Sequence, residues 1–191
     1  MGRIAIFIPT LEGGGAERVM ATLANAMAMR GFEVDLVLAK AQGPFLKNIS
    51  PAVRVIDLRA GRVAWALLPL VRYIRQARPQ AVLAAMTHAN VLALLAQKIA
   101  RMPVRVVVSE RNTISVNYRI ARSMTARMVY ILAKWLYPSA YGICAVSQAA
   151  ASDLVHFAGL PAERVQAILN PFDLLQIERR AAENIDHPWF A

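Results

Sequence analysis

Three clusters of polar residues stand where an α/β chain does its chemistry. The first is IFIPTLEGGGAERV, Ile6 to Val19. A strand-like apolar run ends at Pro9, glycines follow at positions 13, 14 and 15, and a helical pattern opens with Ala16, Glu17 and Arg18. Glycine tolerates φ > 0 and lets a ligand approach the backbone. A helix opening there aims free N–H groups and its positive end at the same space, which makes an anion site. Gly13, Gly14, Gly15 and Arg18 are therefore candidate diphosphate contacts. Arg18 opposes the helix dipole unless it meets an anion. The second cluster is Glu110, Arg111 and Asn112, directly after the apolar run VRVVVS at 104–109. Glu110 is a candidate to take a hydroxyl proton, or else to pair with Arg111; Arg111 and Asn112 are candidate ligand contacts. The third is His88 and Asn90, just beyond the apolar run AVLAAM at 81–86. His88 is suited to hydrogen-bonding a hydroxylated ligand or to acting as a base. Its alternative is satisfying the backbone where a helix opens.

Other chemistries fail at the same positions. The dinucleotide pattern G-x-G-x-x-G is matched at Gly13 and Gly15, but Arg18 holds the third glycine position. The second strand runs into Lys40, with no acid for a ribose hydroxyl. No G-K-[ST] follows the glycines, so this is not a phosphate loop of the Walker type. No grouping of His, Cys, Asp and Glu suggests a metal, and His156 and His187 take no role. The lone Cys144 builds no intrachain disulfide, so nothing points to an oxidising compartment.

The elements that position these clusters follow from the hydropathy pattern. Strands are predicted at 3–9, 33–39, 53–58, 81–86, 104–109, 141–147 and 165–170. Helices are predicted near 16–30, 63–77, 89–101, 118–136 and 148–158. Several of the strands are almost continuously apolar, as in a sheet covered on both faces. Alternating βα units of this length predict a doubly wound, mostly parallel, Rossmann-like α/β layer. Gly31 is placed as a helix C-terminal glycine, Ser147 as an N-cap, and Asn170 and Asp173 flank a proline turn. Residues 1–172 read as one domain. The polar stretch 173–191 reads as a linker.

The chain has 191 residues, 57% of them hydrophobic, and a formal net charge of +10 from 22 basic and 12 acidic residues. That balance favours anionic partners: nucleic acid, phosphorylated ligands or an anionic membrane surface. Between 98 and 134 there are eight basic residues against Glu110 alone. On the expected helix 118–136, Arg119, Arg122, Arg127 and Lys134 fall on one side. Ile120, Met124, Met128, Ile131, Leu132, Trp135 and Leu136 fall on the other, which is expected to pack on the core. The basic side is either ordinary solvated surface or a docking face for an anionic membrane or a lipid diphosphate. Nucleic acid is disfavoured, because no aromatics interleave with the basic residues and no recognition motif is present. The long uncharged stretch 79–97 is broken by polar residues and reads as strand, loop and helix rather than a membrane span. With no signal peptide visible, a cytoplasmic protein is expected.

Five motifs resemble retaining glycosyltransferases of family 4, which have the GT-B fold. GGGAERV follows the first strand. MTHAN (86–90) and VSERN (108–112) resemble loops of the family's lipid-linked-oligosaccharide branch. AVSQAAASDL (145–154) and ILNPFD (168–173) resemble the later strand-to-helix junction and the domain exit. They occur in order and span almost the whole chain. Much of the family has a histidine near the position of SERN, so the general base is not carried over. The resemblance implies the N-terminal, acceptor-side half of an enzyme that moves a sugar from a nucleotide-sugar to a hydroxyl of a lipid-linked glycan, with retention and without metal or other cofactor. Most donor contacts, including a basic pair and an E-x7-E acid pair, would lie in a C-terminal domain. On that view this chain alone is inactive and the enzyme is peripheral at the inner face of the cell membrane. The rival expectation is a stand-alone, non-catalytic module binding a phospholigand or a membrane surface.

Overall fold

A computed structural model of the protein describes residues 2–171, 174–183 and 189. Seven strands form one parallel sheet: β1 (Arg3–Ile8), β2 (Glu33–Leu38), β3 (Val53–Asp57), β4 (Ala81–Ala85), β5 (Arg105–Glu110), β6 (Gly142–Ala145) and β7 (Val165–Ala167). Their order is β3-β2-β1-β4-β5-β6-β7, and every neighbouring pair is parallel. The helices are α1 (Gly15–Met29), α2 (Leu67–Ala77), α3 (Thr87–Ala100), α4 (Ile114–Ile120), α5 (Met124–Leu136), α6 (Gln148–Ala158) and α7 (Leu174–Ala181). The winding reverses between β1 and β4, so the crevice at their carboxyl ends is where such a sheet takes a ligand.

Side-chain alternation along β1 shows why both faces are covered. Ala5 and Phe7 point into the larger core beneath α2, α3 and α6, while Ile6 and Ile8 point into the smaller core under α1. All four are fully buried. A continuous apolar strand is what this double burial demands. Gly31 follows α1 with φ +82, the left-handed turn expected of it.

One predicted element divides. The helix expected at 118–136 is two helices, α4 and α5, parted at Ala121–Ser123. Ala121 is extended at ψ 116, and the Ser123 hydroxyl accepts from the N–H of Ala126, capping a new helix. Arg127 holds the break by donating through Nε to the carbonyl of Ala121 at 3.1 Å.

Candidate functional site

At the carboxyl ends of β1, β4 and β5 lies a cavity of about 390 Å³ lined by Gly14, Gly15, Ala16, Glu17, Met86, Arg111, Asn112 and Asn170. The glycine loop forms one wall, with Gly13 at φ +124. Its N–H groups are not all free, contrary to expectation. Glu17 folds back from the first turn of α1, and its Oε2 accepts from Gly13 N at 2.9 Å and Gly14 N at 2.6 Å. Oε1 accepts from the Thr10 hydroxyl at 3.0 Å. A side chain at this third helical position reaches the backbone before the helix, which is the capping-box geometry. The carboxylate therefore takes part of the expected anion site. It also explains Gly14: a Cβ there would stand 3.0 Å from Oε2 of Glu17. Gly15 and Ala16 open α1, and the first N–H groups of a helix have no partner within it. Behind the loop, Leu11 N donates to Gln42 O at 2.9 Å and Phe45 N donates to Leu11 O at 3.3 Å. Arg18 is exposed and does not line the cavity, so the structure does not set it beside Arg111.

Arg111 forms the opposite wall. Its Nη2 donates to Asn170 Oδ1 at 2.5 Å and its Nη1 to Ser109 Oγ at 3.4 Å. Its Nε is buried with no hydrogen-bond partner. The ion pairs among the described residues are Arg3–Glu33, Arg3–Asp35 and Arg54–Asp35, and Arg111 belongs to none of them. Burial lowers its pKa from 12.5, which disfavours a charge that nothing neutralises. A half-buried guanidinium without a counter-charge, set across from a helix N-terminus, is a place for an anionic ligand. Asn112 beside it is exposed and lines the same cavity.

Two candidates turn out to lie beneath the cavity rather than in it. Asn90 is fully buried, and its Nδ2 lies within reach of Ser109 O (3.1 Å), Glu110 Oε1 (3.2 Å) and Tyr137 Oη (3.0 Å). Glu110 is 1% exposed. Its Oε2 accepts from the Thr87 hydroxyl at 3.0 Å, and its Oε1 accepts from the Tyr137 hydroxyl. Nor does it pair with Arg111. Removal from water pushes its carboxyl up to about 7, against the three donors that favour the ionised form. A carboxylate sealed in this way does not touch a hydroxyl in the cleft. His88, between Thr87 and Asn90 in the first turn of α3, is partly exposed, and burial lowers its pKa from 6.5. It is mostly neutral at physiological pH. His88 is not among the cavity residues above, whereas Met86, at φ +78, is.

Sequence reasoning missed Met86 and Asn170 as cavity walls. Asn170 carried a signal in the ILNPFD motif but was read as a turn residue; Asp173 of that motif and His187 lie outside the described residues. A larger groove of about 490 Å³ runs along the outer edge, between β3 and α2. Asp35 beneath it accepts from Arg54 at 2.5 and 2.9 Å and from the Tyr73 hydroxyl at 2.6 Å, while Arg72 on its wall belongs to none of the ion pairs of the described residues. The groove lies away from the carboxyl-end crevice where a sheet of this winding takes a ligand. Among the described residues no group of three or more His, Cys, Asp and Glu could hold a metal ion.

Arg119, Arg122, Arg127 and Lys134 are all exposed, but they do not share one helix: Arg119 is on α4, Arg122 in the break, and Arg127 and Lys134 on α5. Of the residues expected to face the core, Leu136 does so, but most of the others face solvent. Ile120 (67%), Met124 (71%) and Trp135 (77%) are exposed, as are Met128 and Leu132. Beside Leu136, the face of α5 that packs inward carries Val129, Tyr130 and Ala133. A hollow of about 420 Å³ lined by Tyr118, Ile131, Lys134, Trp135 and Phe157 adjoins the exposed row. No helix among the described residues is long and apolar enough to cross a membrane.

The seven-stranded parallel sheet with helices on both faces is the architecture of the N-terminal halves of GT-B enzymes. It superposes with a TM-score of 0.72 on sucrose-phosphate synthase from Thermosynechococcus elongatus, at 15% identity, over 98% of this chain and 54% of that one. It also matches Anabaena HepE in complex with UDP and glucose, with a TM-score of 0.66 and 25% identity, over 92% of this chain and 46% of that one. The family model Glycosyltransferase Family 4 matches residues 13–175, and the chain belongs to that family. A curated relative, the N-acetylgalactosamine-N,N'-diacetylbacillosaminyl-diphospho-undecaprenol 4-alpha-N-acetylgalactosaminyltransferase of Campylobacter jejuni, is 28% identical over 194 residues. The match covers 97% of this chain and 52% of the relative, so the chain spans about half the length of the curated relative it matches.

Proposed function

We propose that this chain is the acceptor-side half of a glycosyltransferase that moves a sugar from a nucleotide-sugar to a hydroxyl of a lipid-linked glycan, with retention. The observation that carries the site is Arg111, a half-buried cation with a buried, unpartnered Nε, facing the opening of α1 across the cavity. A diphosphate placed there meets a guanidinium and the N-terminus of α1, and supplies the charge that Arg111 lacks. Asn170 holds the guanidinium in place, and Asn112 adds a polar contact at the rim. Glu17 fixes the glycine loop rather than binding the ligand. His88 does not line the cavity, and it is proposed as the proton acceptor on its chemistry and its place in the first turn of α3 beside the cavity wall Met86. No resident metal or cofactor is part of this scheme, and the nucleotide-sugar is a substrate. The relative whose name specifies a diphospho-undecaprenol acceptor, and HepE with UDP and glucose bound, support the substrate classes.

Docking at the inner face of the cell membrane is part of the proposal. α5 offers Met124, Met128, Leu132 and Trp135 outward, flanked by Arg127 and Lys134. A row of exposed apolar side chains beside cations suits the boundary of an anionic bilayer. Donor contacts would come mainly from a partner domain across the cleft, so the 191-residue chain alone binds ligand without turnover.

The test is transfer of labelled sugar from a panel of nucleotide-sugars to undecaprenyl-diphosphate-linked glycans by the protein carrying this chain. Product anomeric configuration, read by NMR, tests retention. Arg111→Ala is expected to lower kcat/KM about 100-fold, within the range for losing an electrostatic contact to a transferring group. No transfer from any donor would refute the function, and full activity in Arg111→Ala would refute the assignment of the site.

A further inference from the structure

Glu110 ends β5 with its side chain turned inward, on the same face as Val106 and Val108. It forms none of the ion pairs of the described residues. Burying a carboxylate without a cation is costly unless donors surround it. Here three do: Thr87 Oγ1 at 3.0 Å, Asn90 Nδ2 at 3.2 Å and the Tyr137 hydroxyl. These donors come from the elements that shape the cleft. Thr87 and Asn90 bracket His88 and follow Met86, a cavity wall. Tyr137, fully buried, directly follows α5. The residues after Glu110 are Arg111 and Asn112, the opposite wall.

We propose that Glu110 is a positioning residue, whose carboxylate locks the first turn of α3 to the end of β5 through Thr87, Asn90 and Tyr137, and so sets Met86 and His88 against Arg111 and Asn112. This rests on the site described above and extends it to a group outside ligand contact. The arrangement has two protonation states. The ionised carboxylate accepts from all three donors, as the structure shows. A protonated one must itself donate to a hydroxyl oxygen, reversing a bond to Tyr137 or Thr87 and leaving that hydroxyl without its acceptor. The walls of the cleft then respond to proton uptake at a point beneath them. Burial brings the carboxyl to about 7, within reach of physiological pH. The other titratable groups near it are distinguishable. Tyr130, Tyr137 and Cys144 interact with Glu110 and are all raised, from 10, 10 and 9, so they stay neutral in this range. Arg111 stays cationic, and His88 is lowered from 6.5 and titrates on the acid side.

The test is amide NMR of the 191-residue chain between about pH 5 and pH 8.5. The signals of Met86, His88, Arg111 and Asn112 should share an inflection near pH 7, apart from the lower one of His88. In Glu110→Gln the carboxamide still accepts from Tyr137 and Asn90 and donates to Thr87, so the fold stays while the upper inflection disappears. Tyr137→Phe removes a donor that favours the ionised form, so the inflection moves to higher pH. In the glycosyltransferase assay, wild-type kcat/KM should rise through the same pH. Glu110→Gln, which donates to Thr87 as the protonated carboxyl does, should hold kcat/KM within about threefold of the wild type's low-pH value at every pH and lose the pH dependence. A missing inflection, or one that Tyr137→Phe leaves in place, overturns the positioning role. So does a Glu110→Gln enzyme that is dead at all pH values, since the carboxylate would then be acting on substrate directly. If the wild type transfers no sugar, the proposed activity fails, and the NMR titration still decides the role of Glu110.

Discussion

Glu110 also makes a prediction about stability, and its size follows from burial alone. The carboxyl moves from an ordinary 4.5 to about 7 on folding. A folded-state pKa above the unfolded one means that the native chain holds a proton over a range where the unfolded chain has released it. Stability from this site is then full below about pH 4.5 and is lost as pH rises through 7. One pKa unit corresponds to about 1.4 kcal/mol, so the whole effect is about 3 kcal/mol, most of which falls between pH 5 and pH 8. That is a large part of the ~5–15 kcal/mol that holds a domain together. The measurement is urea unfolding at 25 °C, followed by circular dichroism at pH 5, 6, 7 and 8, for wild type and Glu110→Gln. Wild type should lose stability relative to the variant by about 2–3 kcal/mol across that range, with equal m-values. His88 contributes in the opposite sense, because its folded pKa is lowered and its stabilisation grows as pH rises toward 6.5. It is common to both proteins and cancels in the difference. Wild-type and variant stabilities that run parallel within about 0.5 kcal/mol would refute the claim that this carboxyl is buried without a counter-charge.

Three further outcomes are expected. Gly14→Val places a side chain against Glu17 Oε2 and dislodges it from the loop, so the chain should stay folded while pyrophosphate affinity, measured by calorimetry, falls at least about tenfold. Ser123→Ala removes the hydroxyl that caps α5 and should cost about 1 kcal/mol in urea melts, without changing ligand affinity. Reversing Arg122, Arg127 and Lys134 to Glu should abolish co-sedimentation with anionic vesicles, at about 1 kcal/mol per charge, while Leu132→Ser with Trp135→Ser should weaken it at low and at physiological salt alike; equal binding of wild type to neutral and anionic vesicles, or to neither, refutes the docking surface.

The central strands were legible because β1, β4 and most of β5 are short, nearly continuous apolar runs, and a doubly covered sheet admits little else; the edge strand β3 kept enough β-branched residues to show despite Arg54 and Asp57. The cavity was legible at the glycine loop and at Arg111–Asn112 for the same reason: polar residues directly after such runs fall at the carboxyl edge. Glu110 was misplaced by a single residue of strand length. With β5 ended at Ser109, Glu110 opens a loop and faces the cleft. With β5 extended through Glu110, as it is, the period of two puts its side chain with Val106 and Val108 in the core. Asn90 followed it inward as its partner. The collapse of Glu17 onto the glycine N–H groups was also encoded, since Glu at the third position of a helix is the capping-box residue. Gly14 stood where Ser or Thr would be expected and hid the pattern.

The error on α5 has a different origin. The segment carries two apolar faces and only two cations, so periodicity alone does not say which face the protein keeps. Val129, Tyr130, Ala133 and Leu136 lie on one, and Met124, Met128, Leu132 and Trp135 on the other. Packing decides it. Ala133 is fully buried on a helix pressed against α3, where a small side chain permits close approach of the two backbones. Trp135 and Met128 would hold those backbones apart. The bulkier face is therefore left outside, between Arg127 and Lys134, and Ser123 frees α5 to take that orientation independently of α4. A helix that exposes its larger apolar residues keeps a cost that a monomer in water does not recover. In the proposed docking mode, burial of that face against an anionic bilayer would offset the cost with the residues already in place, because the apolar row would meet the acyl boundary and the flanking cations the headgroups.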